Sequence, residues 1–141
     1  MRRVVIDTNV LVRAFLKKTG NDWRVYEKFL EGEIELYYSQ GIIDEFLKVI
    51  SYPRIKKRIK IENETIEVFL GSLFEEGVLK EPEEINICRD VRDNHIIGLA
   101  KRAAKRGKVH LVTSDKDILD LKGKIEGVEI VRPGEFLKQN S

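Results

Sequence analysis

Four acidic residues fall where a parallel α/β sheet would gather side chains able to do chemistry: Asp7, Glu45, Asp93 and Asp115. Carboxylates brought together without a cation repel one another by roughly 3 kcal/mol per pair at about 5 Å and an effective dielectric near 20. Packing alone would not assemble them, whereas Mg²⁺ or Mn²⁺ prefers oxygen ligands of this kind. The pattern predicts a divalent metal site.

Two of these acids follow apolar runs that are typical of buried strands. Residues 3–6 (RVVI) end at Asp7, and residues 109–113 (VHLVT) lead into Asp115. Ligands of open α/β sheets bind beyond the carboxyl ends of the strands, so we expect both acids at one edge. The competing interpretation is helix capping, by Asp7 for the next helix and by Ser114 or Asp115 for the short helix after the second run.

Asp93 begins a helix that the sequence predicts over residues 93–106. At 100° per residue, Asp93 points within about 40° of Ile97 and Ala100, in the middle of the apolar stripe of that helix. A carboxylate in that position needs a partner, although the helix N-terminus lowers the cost of its charge. The competing interpretation is a capping box formed by Asp90 and Asp93.

Periodicity decides less for the other acids. Glu45 lies slightly closer than Asp44 to the apolar stripe of its helix, and a solvated acid at the margin of the stripe is the alternative. Asp117 follows Asp115 by two residues, so the two would not share a face of a short helix. We expect one of them to bind the metal directly and the other through water.

The elements that position these acids alternate along the chain. Apolar runs predict strands at 3–6, 34–38, 109–113 and 128–131, and leave 78–80 and 85–88 open between edge strand and loop. Amphipathic periodicity predicts helices over 8–18, 22–31 with Asn21 or Asp22 as cap, 40–50 with Ser39 as cap, 54–60, 62–75 and 93–106. The order fits an α/β sandwich with a mostly parallel sheet, in a single domain spanning residues 1–141.

Composition excludes several classes of protein. The single Cys88 cannot form an internal disulfide, and with only His95 and His110 there is no ligand set for a structural zinc. No apolar run is long enough to span a bilayer. Asp7 and Asn9 interrupt the first apolar stretch before it could serve as a secretory signal, so we expect a cytoplasmic protein without membrane contact.

Four segments together resemble the PIN domain. They read DTNVLV at 7–12, IIDEFLKVI at 42–50, RDVRDNHIIGLA at 89–100 and LVTSDKDIL at 111–119. The likeness covers the whole chain and preserves order and spacing. It is strongest to the small stand-alone prokaryotic PIN proteins related to VapC, which are regarded as toxins of toxin–antitoxin pairs.

The resemblance implies a fold and an activity. The fold is a three-layer α/β/α sandwich with about five strands, and the activity is hydrolysis of RNA by an endoribonuclease that depends on Mg²⁺ or Mn²⁺. It also implies an antitoxin protein as a partner and a homodimer. Cleavage would leave 5′-phosphate and 3′-hydroxyl ends.

The resemblance also assigns roles residue by residue. The catalytic, metal-binding acids are Asp7, Glu45, Asp93 and Asp115 with Asp117 beside the last, and the polar support comes from Asn9 and Ser114. Val91 and Arg92 stand where relatives often have Pro and Asp, which leaves the number of bound metals open.

RNA contacts are expected from the densest basic segment, residues 54–60, through Arg54, Lys56, Lys57 and Arg58. Charge runs are also commonly solvated faces, and acidic residues follow this one closely, so both interpretations stay open. A metal-free ribonuclease would use histidines as acid and base, and neither histidine is assigned that role.

Two other classes of function remain. The first is a catalytically silent PIN-like module that binds RNA or protein and would bind metal without cleaving. The second is a phosphatase with Asp7 as nucleophile, which trapping of an aspartyl-phosphate would favour.

Overall fold

The computed structural model of the protein describes residues 1–139. Its parallel strands are β1 (Arg2–Ile6), β2 (Ile34–Tyr38), β3 (Val78–Leu79), β4 (Val109–Val112) and β5 (Val128–Val131), in the order β3-β2-β1-β4-β5. Its helices are α1 (Thr8–Lys17), α2 (Gly20–Leu30), α3 (Gln40–Ile50), α4 (Pro53–Lys56), α5 (Asn63–Glu76), α6 (Asn94–Ala104), α7 (Lys116–Leu119) and α8 (Pro133–Lys138). The predicted α/β class and five-stranded parallel sheet are confirmed, while the last two residues of the predicted domain, 140–141, lie outside the described part.

The strand order reverses between β1 and β4. Right-handed crossovers place the helices that follow β1 and β2 on one face of the sheet, and α6, which packs across β1 and β4, on the other. Ile6 of β1 lies opposite Val112 of β4 in the register. The residues that follow these two therefore meet in the crevice where doubly wound sheets bind ligands.

An aromatic cluster holds α1, α2, α3 and α5 together. Phe69 stacks on Tyr26 with ring centroids 4.4 Å apart and on Phe46 at 5.5 Å, and Phe15 meets Phe69 edge-on at 5.0 Å. The buried Tyr26 hydroxyl donates to the Phe69 carbonyl at 3.0 Å. Helix α1 follows Asp7, and helix α3 carries Glu45. This packing fixes the two helices relative to each other.

Some predicted boundaries are wrong. The second helix begins at Gly20, two residues early, so Thr19 takes the N-cap position and makes no side-chain capping bond within the described residues. Asp22 lies inside the first turn and pairs with Arg13 at 3.0 Å. The basic helix predicted over 54–60 is only α4. Ser39 does cap α3, since its hydroxyl accepts from the Ile42 amide at 3.3 Å.

The chain between β3 and α6 is a loop, so residues 85–88, for which the sequence allowed either an edge strand or a loop, belong to a loop. This loop packs directly on α6 at Gly98, where an added Cβ would lie 2.1 Å from the Glu83 carbonyl oxygen. The Glu83 amide donates to the Gly98 carbonyl at 3.1 Å. Glycine at this position allows the loop to lie directly against α6. Within residues 1–139, no helix has both the length and the apolar character that crossing a membrane requires.

Candidate active site

Thr113 joins the ends of β1 and β4. The Asp7 amide donates to the Val112 carbonyl at 2.9 Å, and the fully buried Thr113 hydroxyl donates to Asp7 Oδ2 at 2.8 Å. The Asp115 amide in turn donates to the Thr113 hydroxyl at 3.0 Å. Asp7 and Asp115 thus lie at the same edge of the sheet, where their positions after the two strands predicted them.

Three carboxylates converge at this edge. Asp93, Asp115 and Asp117 can each offer one carboxylate oxygen such that the three oxygens lie within 4.8 Å of one another. We call these three residues the acid trio. Asp115 also caps α7, because its Oδ1 accepts from the Asp117 amide at 2.8 Å, so the capping interpretation and membership of the trio both hold for this residue.

Asp93 makes no capping hydrogen bond. Asp93 ends a 3₁₀ turn over Val91–Asp93. The Arg92 amide donates to Asp90 Oδ1 at 2.9 Å. The capping box of Asp90 with Asp93 is therefore not formed. Among the described residues Asp93 Oδ2 is buried without a hydrogen-bond partner, which is costly for a carboxylate unless a cation is bound.

The charges of the acids act on one another. Burial, together with the negative charges of Asp115 and Asp7, raises the pKa of Asp93 to about 7. Burial likewise raises the pKa of Asp7 to about 6 against the hydrogen bond from Thr113, with contributions from Asp115 and Glu45. All four acids singled out in the sequence are thus electrostatically coupled.

Glu45 faces this cluster from α3, whereas Asp44 is exposed and accepts from the Gln40 amide group at 2.9 Å. The slight geometric preference for Glu45 agrees with this placement. His95 Nε2 lies 3.7 Å from Glu45 Oε1, and this neighbour lowers the pKa of Glu45 against the effect of partial burial. Glu45 is thereby kept ionised beside acids whose pKa values are raised.

The loop before α6 is held over the site by Asn94, whose Oδ1 accepts from the amides of Ile87 and Cys88 at 3.1 and 2.9 Å. Cys88 is buried, and burial together with the charge of Asp93 raises its pKa to about 11. At the rim, Arg89 Nη1 lies 3.6 Å from Asp117 Oδ1. The thiol is therefore neutral at physiological pH, and the arginine that pairs with Asp117 is largely exposed.

Other predicted residues lie farther out. Ser114 is exposed beside the buried Thr113, and Asn9 is exposed in the first turn of α1. His110 is buried in β4. The four residues predicted for RNA contact, all exposed, are Arg54, Lys56, Lys57 and Arg58.

Sequence reasoning missed Thr113, Thr8, His95 and Asn94 as parts of the site. Thr113 carried a usable signal, because it is the last residue of an apolar strand run that ends at the expected edge. His95 follows Asp93 by two residues, but no periodicity indicates that it faces α3. Thr8, whose hydroxyl is buried without a hydrogen-bond partner in the described structure, lies beside Glu45 and lowers its pKa.

The donor set fits a hard divalent cation. It consists of carboxylate oxygens, includes a buried oxygen without a partner among residues 1–139, and has raised pKa values of the kind that a bound cation would reverse. A doubly wound parallel sheet that gathers carboxylates at its switch point is thus suited to metal-dependent chemistry.

Comparison with known sequences identifies one family within this class of doubly wound proteins with a carboxylate site. The sequence profile of the PIN domain matches residues 3–117, and the chain belongs to the PIN domain family. PIN domains are generally nucleases that use divalent metals.

Similar proteins agree with this fold. An uncharacterized protein of Methanocaldococcus jannaschii is 28% identical over 145 residues, covering 97% of this chain and 90% of that protein. A domain of a functionally unknown protein from the same organism superposes with a TM-score of 0.55 at 17% identity, covering 94% of this chain and 91% of that one. FitAcB from Neisseria gonorrhoeae superposes with a TM-score of 0.58 at 16% identity, covering 93% and 98%.

Proposed function

We propose that the protein is a metal-dependent endoribonuclease that hydrolyses RNA phosphodiester bonds with Mg²⁺ or Mn²⁺. The observation that carries this proposal is the convergence of Asp93, Asp115 and Asp117 around a buried carboxylate oxygen that has no partner among the described residues. Membership of the PIN domain family supports it.

In this proposal the acid trio binds the metal, and Asp7 and Glu45 complete the negative surface around it. When bound, the metal would activate water and neutralise charge that develops on the phosphate oxygens. Thr113 orients Asp7 through its hydrogen bond, and His95 keeps Glu45 ionised. No histidine acid or base is then needed, so the products carry 5′-phosphate and 3′-hydroxyl ends, and a 2′,3′-cyclic phosphate would contradict the mechanism.

The surroundings of the site enter the same proposal. Asn9 and Ser114 give polar support, and the basic segment 54–60 contacts RNA through part of its predicted set, Arg54, Lys56, Lys57 and Arg58. Resemblance to stand-alone prokaryotic PIN proteins supports a cytoplasmic toxin that has an antitoxin partner and forms a homodimer. Sedimentation as a monomer at micromolar concentration would contradict the homodimer, and a neighbouring reading frame for a small DNA-binding protein would support the antitoxin.

The test is cleavage of a mixed RNA panel in Mg²⁺, Mn²⁺ or chelator. Wild type should cut in either metal and not in chelator. Glu45→Gln should lower the cleavage rate at least tenfold, because it removes a charge that faces the trio, whereas Asp44→Asn on the exposed face of the same helix should stay within about twofold of wild type. Metal binding without any cleavage would replace the enzyme with the silent binding module.

A further inference from the structure

A groove of about 590 Å³ lies between α1 and a segment that comprises the end of α3, helix α4 and the residues just after it. Three arginines and one asparagine line it above a floor of aliphatic side chains, and no acidic residue is among the lining residues in the described part of the chain. We call it the arginine groove, after Arg13, Arg54 and Arg58; Asn9 lies at its end in the first turn of α1, and Leu16 and Ile55 belong to its floor.

Two residues that line the groove lie close to acids of the site along the chain. Asn9 follows Asp7 by two residues, and Val49, which also lines the groove, lies one helical turn beyond Glu45 on α3. A chain lying in the groove would therefore reach the edge of the sheet at which the acids gather. From that end the groove leads away toward α4.

The arginines of the groove differ in how far they are neutralised. Arg13 Nε pairs with Asp22 at 3.0 Å. Arg54 and Arg58 are exposed, and within the described residues neither lies within 4.0 Å of an acidic oxygen. Two guanidinium groups without an acidic partner among the described residues lie beside aliphatic side chains. This surface is complementary to a ligand chain that has phosphates on one side and apolar faces on the other.

A single strand of RNA has that chemistry. Its phosphates accept bidentate hydrogen bonds from guanidinium groups, and its unpaired bases can lie on aliphatic side chains and on guanidinium planes. In a duplex the bases face each other and leave the floor without a partner. An acidic peptide would also find the arginines, but the groove continues into a negatively charged cluster that repels carboxylates unless a cation is bound.

Helix α4 divides the basic segment between two surfaces. Arg54 and Arg58 line the arginine groove, while Lys56 and Lys60 line a neighbouring groove of about 490 Å³ that shares Ile59 with it. Lys57 belongs to neither set of lining residues. The four residues expected to act together in RNA contact therefore do not share one face.

We propose that the arginine groove binds single-stranded RNA on one side of the bond to be cut, with Arg54 and Arg58 holding its phosphates. This rests on the proposed nuclease function, because it takes the acid cluster as the place where the strand is cut. It assigns the direction in which the strand leaves the site, and it separates Arg54 and Arg58 from Lys56 and Lys57.

The test measures binding rather than cleavage. Fluorescence anisotropy follows a labelled 12-nucleotide oligouridine on full-length Asp93→Asn protein, in chelator, so that no hydrolysis occurs. The arginine pair variant Arg54→Gln with Arg58→Gln is compared with the lysine pair variant Lys56→Gln with Lys57→Gln, which removes the same charge from the same segment. Circular dichroism melts check that both variants fold.

The arginine pair variant should weaken binding about tenfold at moderate salt and reduce the slope of log affinity against log salt by about 1.4, as expected for two lost phosphate contacts on a single strand. The lysine pair variant should weaken it by about threefold at most, through the general field alone. Equal losses in the two variants, or no loss in the arginine pair, would overturn the proposal. So would an equally strong effect on a duplex of the same length, or lost binding of an acidic peptide with unchanged binding of oligouridine.

Failure of the groove and failure of the nuclease are distinguishable. If wild type cuts RNA in Mn²⁺ but the two pair variants bind oligouridine equally, the groove is wrong and the nuclease stands. If wild type does not cut RNA, yet of the two pair variants only the arginine pair variant weakens binding, the groove is an RNA-binding site of a catalytically silent module.

Discussion

At the amino ends of the strands acidic side chains lie beside basic ones, whereas at the carboxyl ends they lie beside one another. Arg3 of β1 faces Glu35 of β2 at 3.8 Å, and Lys108 before β4 lies 2.6 Å from Glu129 of β5. These pairs join neighbouring strands and are partly exposed. They are the ordinary charge arrangement of a stable surface, where each pair contributes at most about 1 kcal/mol.

The carboxyl ends are arranged differently. Within the described residues, the one ion pair that the acid trio makes is that of Asp117 with Arg89, whose side chain is 77% exposed. Burial and mutual repulsion raise the pKa values of Asp93 and Asp7. The same sheet thus pairs its charges where only stability is at stake and concentrates like charges where a cation can bind, at a cost to the stability of the metal-free protein.

The largest expected effect is on activity and separates the two ends. Asp93→Asn should lower RNA cleavage in Mn²⁺ at least about a hundredfold, because a lost metal ligand removes several kcal/mol of transition-state stabilisation. Glu129→Gln, at the paired end, should leave the rate within about twofold of wild type. Initial rates on one RNA substrate measure both, and similar losses for both variants would erase the distinction between the ends.

The packing of the loop on α6 should be sensitive to a single methyl group. Gly98→Ala places a Cβ 2.1 Å from the Glu83 carbonyl oxygen, and moving that backbone should reduce the free energy of unfolding by about 2 to 3 kcal/mol. Gly71→Ala, in helix α5 with no atom within 4 Å of the added Cβ, should be neutral or stabilising by up to about 1 kcal/mol. Urea titration compares the two, and an equal response would contradict the close packing of the loop on α6.

The metal-free protein should be more stable when the acids are protonated. The folded-state pKa values of Asp93 and Asp7, about 7 and about 6, lie above the ordinary value of 3.8. The stability gained from protonation is therefore complete below about pH 4 and is lost as the pH rises through 6 to 7.

In chelator at pH 8, Asp93→Asn should thus melt about 2 to 4 °C above wild type, after allowance for the partial exposure of Asp93. The difference in melting temperature between the variant and wild type should narrow at pH 5.5. Burial lowers the pKa of His110, but its titration contributes equally to both proteins and cancels in this difference. If the variant melts below wild type at pH 8, the charged Asp93 carboxylate does not destabilise the metal-free protein.

The smallest effect belongs to the paired end. Glu129→Gln removes the ion pair with Lys108 and weakens the contact with Gln139, whose amide donates to Glu129 Oε2 at 2.6 Å. Unfolding should become easier by about 0.5 to 1 kcal/mol at low salt and by less at high salt. The exposed Glu126, changed to Gln, is the control, and a loss unaffected by salt would argue against pairing as the cause.

Much of the site follows from the chain itself. Apolar runs that end in acids identify the carboxyl ends of β1 and β4, and parallel topology then requires Asp7 and Asp115 to be neighbours. The position of Asp93 in the apolar stripe of α6 indicates that its side chain faces inward. These are consequences of periodicity and of chain direction.

Other features depend on contacts between distant segments. Thr113 reads as one more strand residue until its hydroxyl is seen to bridge Asp7 and the Asp115 amide. Asp22 is a good cap by type, but the helix begins two residues earlier, so Asp22 lies inside its first turn and pairs with Arg13. The basic segment looks uniform in sequence, and only the position of α4 between two grooves separates Arg54 from Lys56.

The central claim is that the acid trio holds a divalent metal, and anomalous diffraction from a crystal soaked in saturating Mn²⁺ tests it most directly. The account predicts a manganese peak bounded by carboxylate oxygens of Asp93, Asp115 and Asp117, and its loss in Asp93→Asn. A soaked crystal with no peak among these three side chains, or with manganese bound only elsewhere, would contradict it.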